Sequence, residues 1–190
     1  MNQTSNTDYG AFEWQKRMGI HEAYHTNSVN RIIHWLCIPF ELFALVSLFS
    51  MIPLPFGLNL AFVMLVPLSI IYLATDLFLG AIMSFILAVL WILAYHFFPE
   101  FSIWNLLAVI LIFFLTFKFQ TGYGHGTHEE GRDDTEMNFA EFGKTKDPIP
   151  LILIFYYHLV EIAFNLGYKP EIRKKVEQVT LEEKQKMGII

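Results

Sequence analysis

Seven histidines are the residues of this sequence with the clearest potential for chemistry. His21 and His25 are four positions apart, so on a helix they share one face and can bind the same metal ion. His125 and His128 lie three residues apart in a glycine-rich segment, and Glu129 directly follows His128. Imidazole with carboxylate suits Zn, Fe or Mn, and a histidine-rich set with open positions suits ferrous iron that binds oxygen. The seven are His21, His25, His34, His96, His125, His128 and His158.

The string HEAYH at residues 21–25 also matches H-E-x-x-H, the zinc metalloprotease motif in which the glutamate is the general base. In membrane zinc proteases this motif lies inside an apolar helix, whereas here it lies in a polar segment. The extended form of the motif, with a glycine and a third histidine, is absent. A protease is therefore a minor alternative to a metal site that draws on histidines from several segments.

Carboxylates near the histidines, or inside apolar segments, are further candidates, because an ionisable group within hydrocarbon is costly and usually functional. Glu161 comes three residues after His158, so both face one side of a helix. Glu41 lies seven residues after His34 on nearly the same helix face. For Glu41 and Glu161 a site role and a packing role are equally open, whereas Asp76 is interpreted as a helix-end residue in contact with water.

The composition indicates that these residues are carried by an integral membrane protein. Hydrophobic residues make up 54% and charged residues 16% of the chain, whereas soluble domains are about 25% charged. Between residues 32 and 117 the only charged residues are Glu41, Asp76 and Glu100. A disordered chain, a nucleic-acid binder and a disulfide-stapled secreted domain are excluded as leading interpretations, the last because Cys37 is the single cysteine.

The pattern of apolar and polar segments predicts an all-α polytopic membrane helical bundle within a single domain, residues 1–190. About four transmembrane helices are expected, because the apolar runs have roughly the length needed to cross a bilayer. The run 149–166 is too short to cross unaided and is interpreted as a re-entrant or interfacial return helix. The predicted parts are an amphipathic first helix at the membrane surface (11–30), four spans (32–119; about 32–52, 58–78, 80–98 and 102–119), a histidine-rich loop (120–148), the return helix (149–166) and a charged tail (167–190).

The distribution of basic residues predicts the topology. With four spans, every lysine and arginine falls on the same side as both termini and the 120–148 loop. By the positive-inside rule, this side faces the cytoplasm, in either the bacterial inner membrane or the endoplasmic reticulum. All the histidines except His96, which ends the third span, belong to this side or lie in the return helix, which can dip to the same depth.

Three groups of residues resemble the signatures of one family. His25, Asn30, His34 and Pro39 match the opening signature of the yeast-type membrane 2-hydroxy fatty acid dioxygenases, in which two histidines and an asparagine lead into the first span. The segment Gly124-His125-Gly126, with Glu129, is similar to the second signature. Glu161, followed by Gly167-Tyr168, resembles the third. The family also has a glutamine four residues before the loop histidine, where this chain has Thr121, with Gln120 one residue earlier.

The resemblance implies a mechanism with Fe²⁺ as cofactor and with O₂ and a 2-hydroxy fatty acid as substrates, the acid being shortened by one carbon. The expected site comprises carboxylates for catalysis and basic or amide side chains for the substrate. The predicted metal ligands are His25, His34 and His125, with His21, His128 and His158 as the pool for a further position; the predicted catalytic residues are Glu129 and Glu161; the predicted substrate-binding residues are Arg31, Asn30 and Arg132.

Two other classes of protein stay open at this point. One is a different histidine-box lipid oxidase or hydroxylase, which generally holds two irons and has an adjacent histidine pair that is missing here. The other is a non-enzymatic membrane protein whose histidines bind metal or protons. In all three cases the lipid bilayer is the expected partner, nucleic acid is not, and the oligomeric state is open.

Overall fold

Helices form almost throughout the part of the chain that the structure describes. The computed structural model describes residues 8–130, 132 and 135–190 and contains no β-strand within them. Short 3₁₀ turns are present at Ala11–Glu13 and Pro55–Gly57. The helices are α1 (Trp14–Tyr24), α2 (Ser28–Ser50), α3 (Leu60–Thr75), α4 (Leu77–Phe97), α5 (Ile103–Lys118), a π-helical segment (Phe119–His125), α6 (Gly126–His128), α7 (Thr135–Thr145), α8 (Ile149–Asn165) and α9 (Pro170–Lys186).

The prediction of an all-α membrane bundle is confirmed. Among the described residues, three helices are long and apolar enough to cross a bilayer: α2, α4 and the continuous helix Ile103–His128. A fourth candidate is the pair α8 and α9, which is bent by 119° at the break between its helices. The expected second span is shorter than predicted, because α3 contains only 16 residues, whereas a span needs about 20.

Helix α2 is the centre of the bundle, since α3, α4, α5 and α8 all pack against it. The side chain of Asn27 accepts a hydrogen bond from the Val29 amide and so begins the helix as its N-cap. Large apolar side chains on α3, α4 and α5 are exposed at the outer surface, as expected for faces that contact lipid. Other side chains of α3 and α4, such as Tyr72 and Leu87, face inward and form the core together with α2 and α8.

Helices α3 and α4 form a hairpin whose turn is a single residue. Asp76 ends α3 and accepts hydrogen bonds from the amides of Phe78 and Leu79 at the start of α4. The sequence placed this break later, near residue 79. Because Gly80 has no side chain, its backbone can lie directly against the backbone of Tyr72 in the preceding helix.

Helix α1, which the sequence predicts at the membrane surface, is covered by α9. Trp14 and Met18 are buried. Gly19 lies so close to α9 that a Cβ atom there would come within 2.6 Å of the Val179 Cβ. The Thr180 hydroxyl donates a hydrogen bond of 3.1 Å to the Gly19 carbonyl. The charged tail therefore forms a helix that fixes α1 in place.

The predicted loop over 120–148 is largely helical in its described residues. The last membrane helix does not stop at Lys118 but continues through the π-helical segment into α6. Helix α7 then occupies residues 135–145. The glycines at 122, 124 and 126, residues that normally disfavour helix, are accommodated within the helix in this segment.

The α3–α4 hairpin generates a prediction about stability. In Gly80→Ala, the added methyl group overlaps the Tyr72 backbone and forces the two helices apart, so we expect a loss of about 1–3 kcal/mol. The measurement is the thermal denaturation midpoint of the purified protein in detergent. Gly143→Ala is the matched control, because Gly143 lies in a helix with open space around it. Equal midpoints for the two variants would contradict the close approach at Gly80.

Candidate metal centre

Three imidazoles from separate segments converge in the interior of the protein. The Nε2 atoms of His25 and His34 are 3.4 Å apart, and those of His34 and His125 are 3.1 Å apart. The three histidines are buried, and their candidate ligand atoms all lie within 4.8 Å of one another. The group can therefore hold a metal ion. Its members are the three histidines that the sequence analysis names as the predicted metal ligands.

The outer nitrogen of each ring is anchored to a backbone carbonyl. Nδ1 of His25 lies 2.9 Å from the His21 carbonyl, and Nδ1 of His34 lies 2.9 Å from the Asn30 carbonyl. Nδ1 of His125 lies 2.5 Å from the Arg132 carbonyl. A carbonyl only accepts, so each Nδ1 carries the proton and each Nε2 presents a lone pair to the centre. Anchoring of this kind orients metal-binding histidines.

The buried environment of His25 favours the neutral, ligating form of its ring. Burial lowers the pKa of His25 well below its usual range, and the neighbouring histidines lower it further. A neutral imidazole is the form that binds a metal ion. Lone pairs on Nε2 atoms 3.4 Å apart in His25 and His34, and 3.1 Å apart in His34 and His125, repel one another, and a cation between them would remove this repulsion.

Two further histidines of the predicted pool join the cluster. The ring centroid of His158 lies 5.3 Å from that of His34, and the centroid of His21 lies 4.0 Å from that of His25. His158 is only 4% exposed, and neither ring nitrogen has a hydrogen-bond partner among the described residues. Because buried polar atoms are normally satisfied, His158 is the best candidate for a fourth ligand.

The structure separates His128 from this cluster. Its ring packs edge-on against Tyr123, with centroids 5.1 Å apart, and among the described residues it makes no ring contact with the other histidines. His96, at the end of α4, is exposed and packs against Phe97. Of the three histidines predicted to supply a further ligand, His21 and His158 are therefore the ones that the fold brings to the centre.

The π-helical segment explains why Gln120 and His125 face the same cavity although five residues separate them. In a π-helix the hydrogen bonds connect residues five apart instead of four. Gly124 in the same segment lies against Asn30, whose side-chain oxygen would be 2.5 Å from a Cβ at that position. This contact brings the segment close to the start of α2.

Glu129, predicted to be catalytic, connects the segments that carry His25 and His125. It is fully buried, at 0% exposure. Its carboxylate accepts hydrogen bonds from the Thr26 hydroxyl at 2.6 Å and from the Asn27 amide at 2.5 Å. Glu129 therefore lies beside the histidine cluster but is not among the residues that line the cavity.

The other predicted site residues are also engaged outside that cavity. Glu161 forms an ion pair with Arg31 and accepts a hydrogen bond of 2.8 Å from the Trp35 indole. The Arg132 side chain lies 3.1 Å from the Glu130 carboxylate. Asn30 is buried, with no hydrogen-bond partner for its side-chain amide among the described residues. These residues support the walls of the site, and none of them lines the cavity.

Glu22 of the H-E-x-x-H string does not face the metal centre either. It lies on the side of α1 that packs against α9, where the Thr180 hydroxyl is 3.4 Å from its carboxylate. Burial, and secondly the charge of Glu161, raise the pKa of Glu22. The arrangement gives no support to the protease interpretation, since that mechanism needs the glutamate beside the metal-bound water.

The histidines form one end of a cavity of about 260 Å³. Glu41, Gln120 and Thr121 are the other polar residues of its wall, and the Gln120 amide donates a hydrogen bond to the Glu41 carboxylate. The sequence left the role of Glu41 open and did not select Gln120 as a site residue. The apolar part of the wall consists of Ile38, Leu45, Phe113, Phe117, Phe139, Leu151, Ile154 and Phe155.

Comparison with known proteins does not assign the chain to a family. No family model, curated protein or solved structure matches it. What the site can do is therefore inferred from its side chains: a cluster of buried imidazoles, an adjacent carboxyl group and an apolar cavity.

The geometry generates a prediction about metal binding. His25→Ala, His34→Ala and His125→Ala should each abolish metal retention, because each removes one of three converging lone pairs. Metal content is measured by mass spectrometry of the protein purified in detergent. His128→Ala and His96→Ala are the controls and should keep the metal. Full metal content in His34→Ala would remove the basis of the site.

A second prediction concerns Glu129. In Glu129→Ala the loop that follows His25 loses its attachment to the segment after His125, so we expect metal affinity to fall about 10- to 100-fold, as for other residues that orient ligands. Glu130→Ala is the control, because the Glu130 side chain is 84% exposed. Affinity is measured by competition with a chelator. The same affinity in both variants would contradict the positioning role.

Proposed function

We propose that the protein is an Fe²⁺-dependent dioxygenase that shortens 2-hydroxy fatty acids by one carbon at the membrane face. The observation that carries this proposal is the opening of a buried, all-imidazole metal centre onto an apolar cavity inside a membrane bundle. The sequence resemblance described above supports it independently.

The donor set fits the proposed metal. Three neutral imidazoles from His25, His34 and His125, with His158 as a fourth donor, leave coordination positions open for other molecules. Imidazole ligands suit iron as well as zinc and copper, so the choice of iron rests on the proposed reaction. When bound, Fe²⁺ would supply the site at which O₂ is reduced and the polar end of the substrate is held.

The proposed reaction balances without a second oxidant or reductant. The bond between C1 and C2 of the 2-hydroxy acid breaks, C1 leaves as CO₂, and C2 becomes the carboxyl carbon of the shorter acid. This oxidation releases four electrons, which reduce one O₂. The products are the shortened acid, CO₂ and one water molecule.

The residues of the chain provide the surroundings that this chemistry needs. Glu41 has its carboxylate held by Gln120, and we assign it the exchange of the proton of the substrate hydroxyl. The apolar wall, which includes Phe113 and Leu151, accepts the acyl chain and excludes water from the centre. Glu129 and the pair of Arg31 with Glu161 act by holding the histidine-bearing segments.

The proposal includes an orientation in the membrane. The basic residues, both termini and α7 are assigned to the cytoplasmic side by the positive-inside rule, in either the bacterial inner membrane or the endoplasmic reticulum. The metal centre then lies at the depth of the cytoplasmic lipid headgroups, where the carboxylate of a fatty acid is also found.

A second candidate function is that of a two-iron lipid oxidase. It is favoured by one observation: His21 and His158 add two imidazoles to the central three. The metal content of the purified protein separates the two candidates, since one iron per chain supports the dioxygenase and two support the alternative.

The proposed reaction predicts a defined product. The protein, purified with iron and reconstituted in lipid, should consume O₂ and convert 2-hydroxypalmitic acid to the acid with one carbon fewer, detected by mass spectrometry. Palmitic acid is the matched control and should not react, because it lacks the hydroxyl group. Product formed equally without O₂, or by His34→Ala, would refute the proposal.

A further inference from the structure

A second cavity lies deeper in the bundle than the metal centre. Its volume is about 200 Å³, and it lies between α2, α3, α4 and α8. Its wall is apolar apart from Tyr72, whose hydroxyl donates a hydrogen bond of 2.9 Å to the Ile152 carbonyl. No lining side chain among the described residues is therefore available to recognise a polar ligand.

The two cavities share a boundary. Leu45, Leu151 and Phe155 line both of them, and all three are apolar and only partly buried. From the first cavity to the second, the wall changes from histidines, Glu41 and Gln120 to alkyl and aromatic groups. A molecule that fits both cavities has a polar end and a long apolar end.

The length of the path indicates how long the apolar end is. Residues of α2 line it from His34 in the first cavity to Phe49 in the second. At 1.5 Å per residue this part of the helix rises about 22 Å. One leaflet provides half of the roughly 30 Å hydrocarbon core for a lipid chain. The rise of about 22 Å along α2 exceeds this depth.

We propose that the second cavity receives the methyl end of the acyl chain and determines which chain lengths the protein accepts. This inference rests on the proposed function, which identifies the polar end of the ligand as a 2-hydroxy carboxylic acid. Leu45, Leu151 and Phe155 form the passage between the cavities, and Ala61, buried at the second cavity, limits its depth. The ligand class is therefore long-chain 2-hydroxy acids, with short-chain acids bound less tightly.

The test measures binding and does not depend on turnover. The protein is reconstituted in lipid nanodiscs, and 2-hydroxydecanoic, 2-hydroxyhexadecanoic and 2-hydroxytetracosanoic acids displace a fluorescent fatty acid from it. Ala61→Phe fills the second cavity without contacting the first. Because each buried methylene group changes affinity about fourfold, the ratio of long-chain to short-chain affinity should fall at least about tenfold.

A variant of opposite effect and a control complete the experiment. Leu87→Ala enlarges the second cavity and should shift the preference towards longer chains, so the proposal stays testable even if Ala61→Phe does not fold. Val109→Ala truncates a buried side chain that lines neither cavity and should leave the ratio unchanged. Thermal midpoints and metal content of all variants verify folding.

The possible results separate this proposal from the proposed function. If the wild-type affinity ratio is kept in Ala61→Phe and Leu87→Ala, the second cavity does not receive the acyl chain and the inference is overturned. Loss of a co-purified phospholipid from Ala61→Phe, with no change in the ratio, would assign the cavity to a bilayer lipid and overturn it as well. Chain-length-dependent binding without turnover of any 2-hydroxy acid would instead refute the proposed reaction alone.

Discussion

Three imidazole nitrogens that face one another in a buried space are the constraint on which the rest of this structure depends. Their lone pairs repel, and burial prevents water from separating them, so the arrangement is stable only if something positive lies at its centre or the surrounding fold is strong enough to hold it. Backbone carbonyls fix the outer nitrogen of each ring. The backbone thereby selects the tautomer that a metal ion requires.

The surrounding contacts follow from this constraint, because the ligands come from segments far apart in sequence. Helix α9 holds α1 through the close approach at Gly19. Glu129 connects the loop after α1 to the segment after His125, and the pair of Arg31 with Glu161 connects α2 to α8. Each contact involves at least one element that carries a histidine. Glu129 and Glu161, which the sequence analysis predicted to be catalytic, thus both connect segments around the histidines.

The sequence predicted the fold class because long apolar runs are a local property, and it selected the three central histidines through the family resemblance and their shared side of the membrane. It did not predict where the carboxylates lie, since the partners of Glu129 are about one hundred residues away in the chain. The role of Gln120 depends on a π-helical turn, which no residue type signals, so a pattern counted in α-helical steps misses it. The tail was predicted only as a charged helix former, because its packing against Gly19 is a long-range contact.

The packing of α9 against α1 also has a consequence for the order in which the site is built. Among the described helices of at least three turns, α1 is synthesised first and α9 last. During synthesis the histidines at the end of α1 therefore lack the helix that fixes them, while the apolar helices between are already inserting into the bilayer. The packing around the candidate metal site is therefore complete only after translation has passed Thr180.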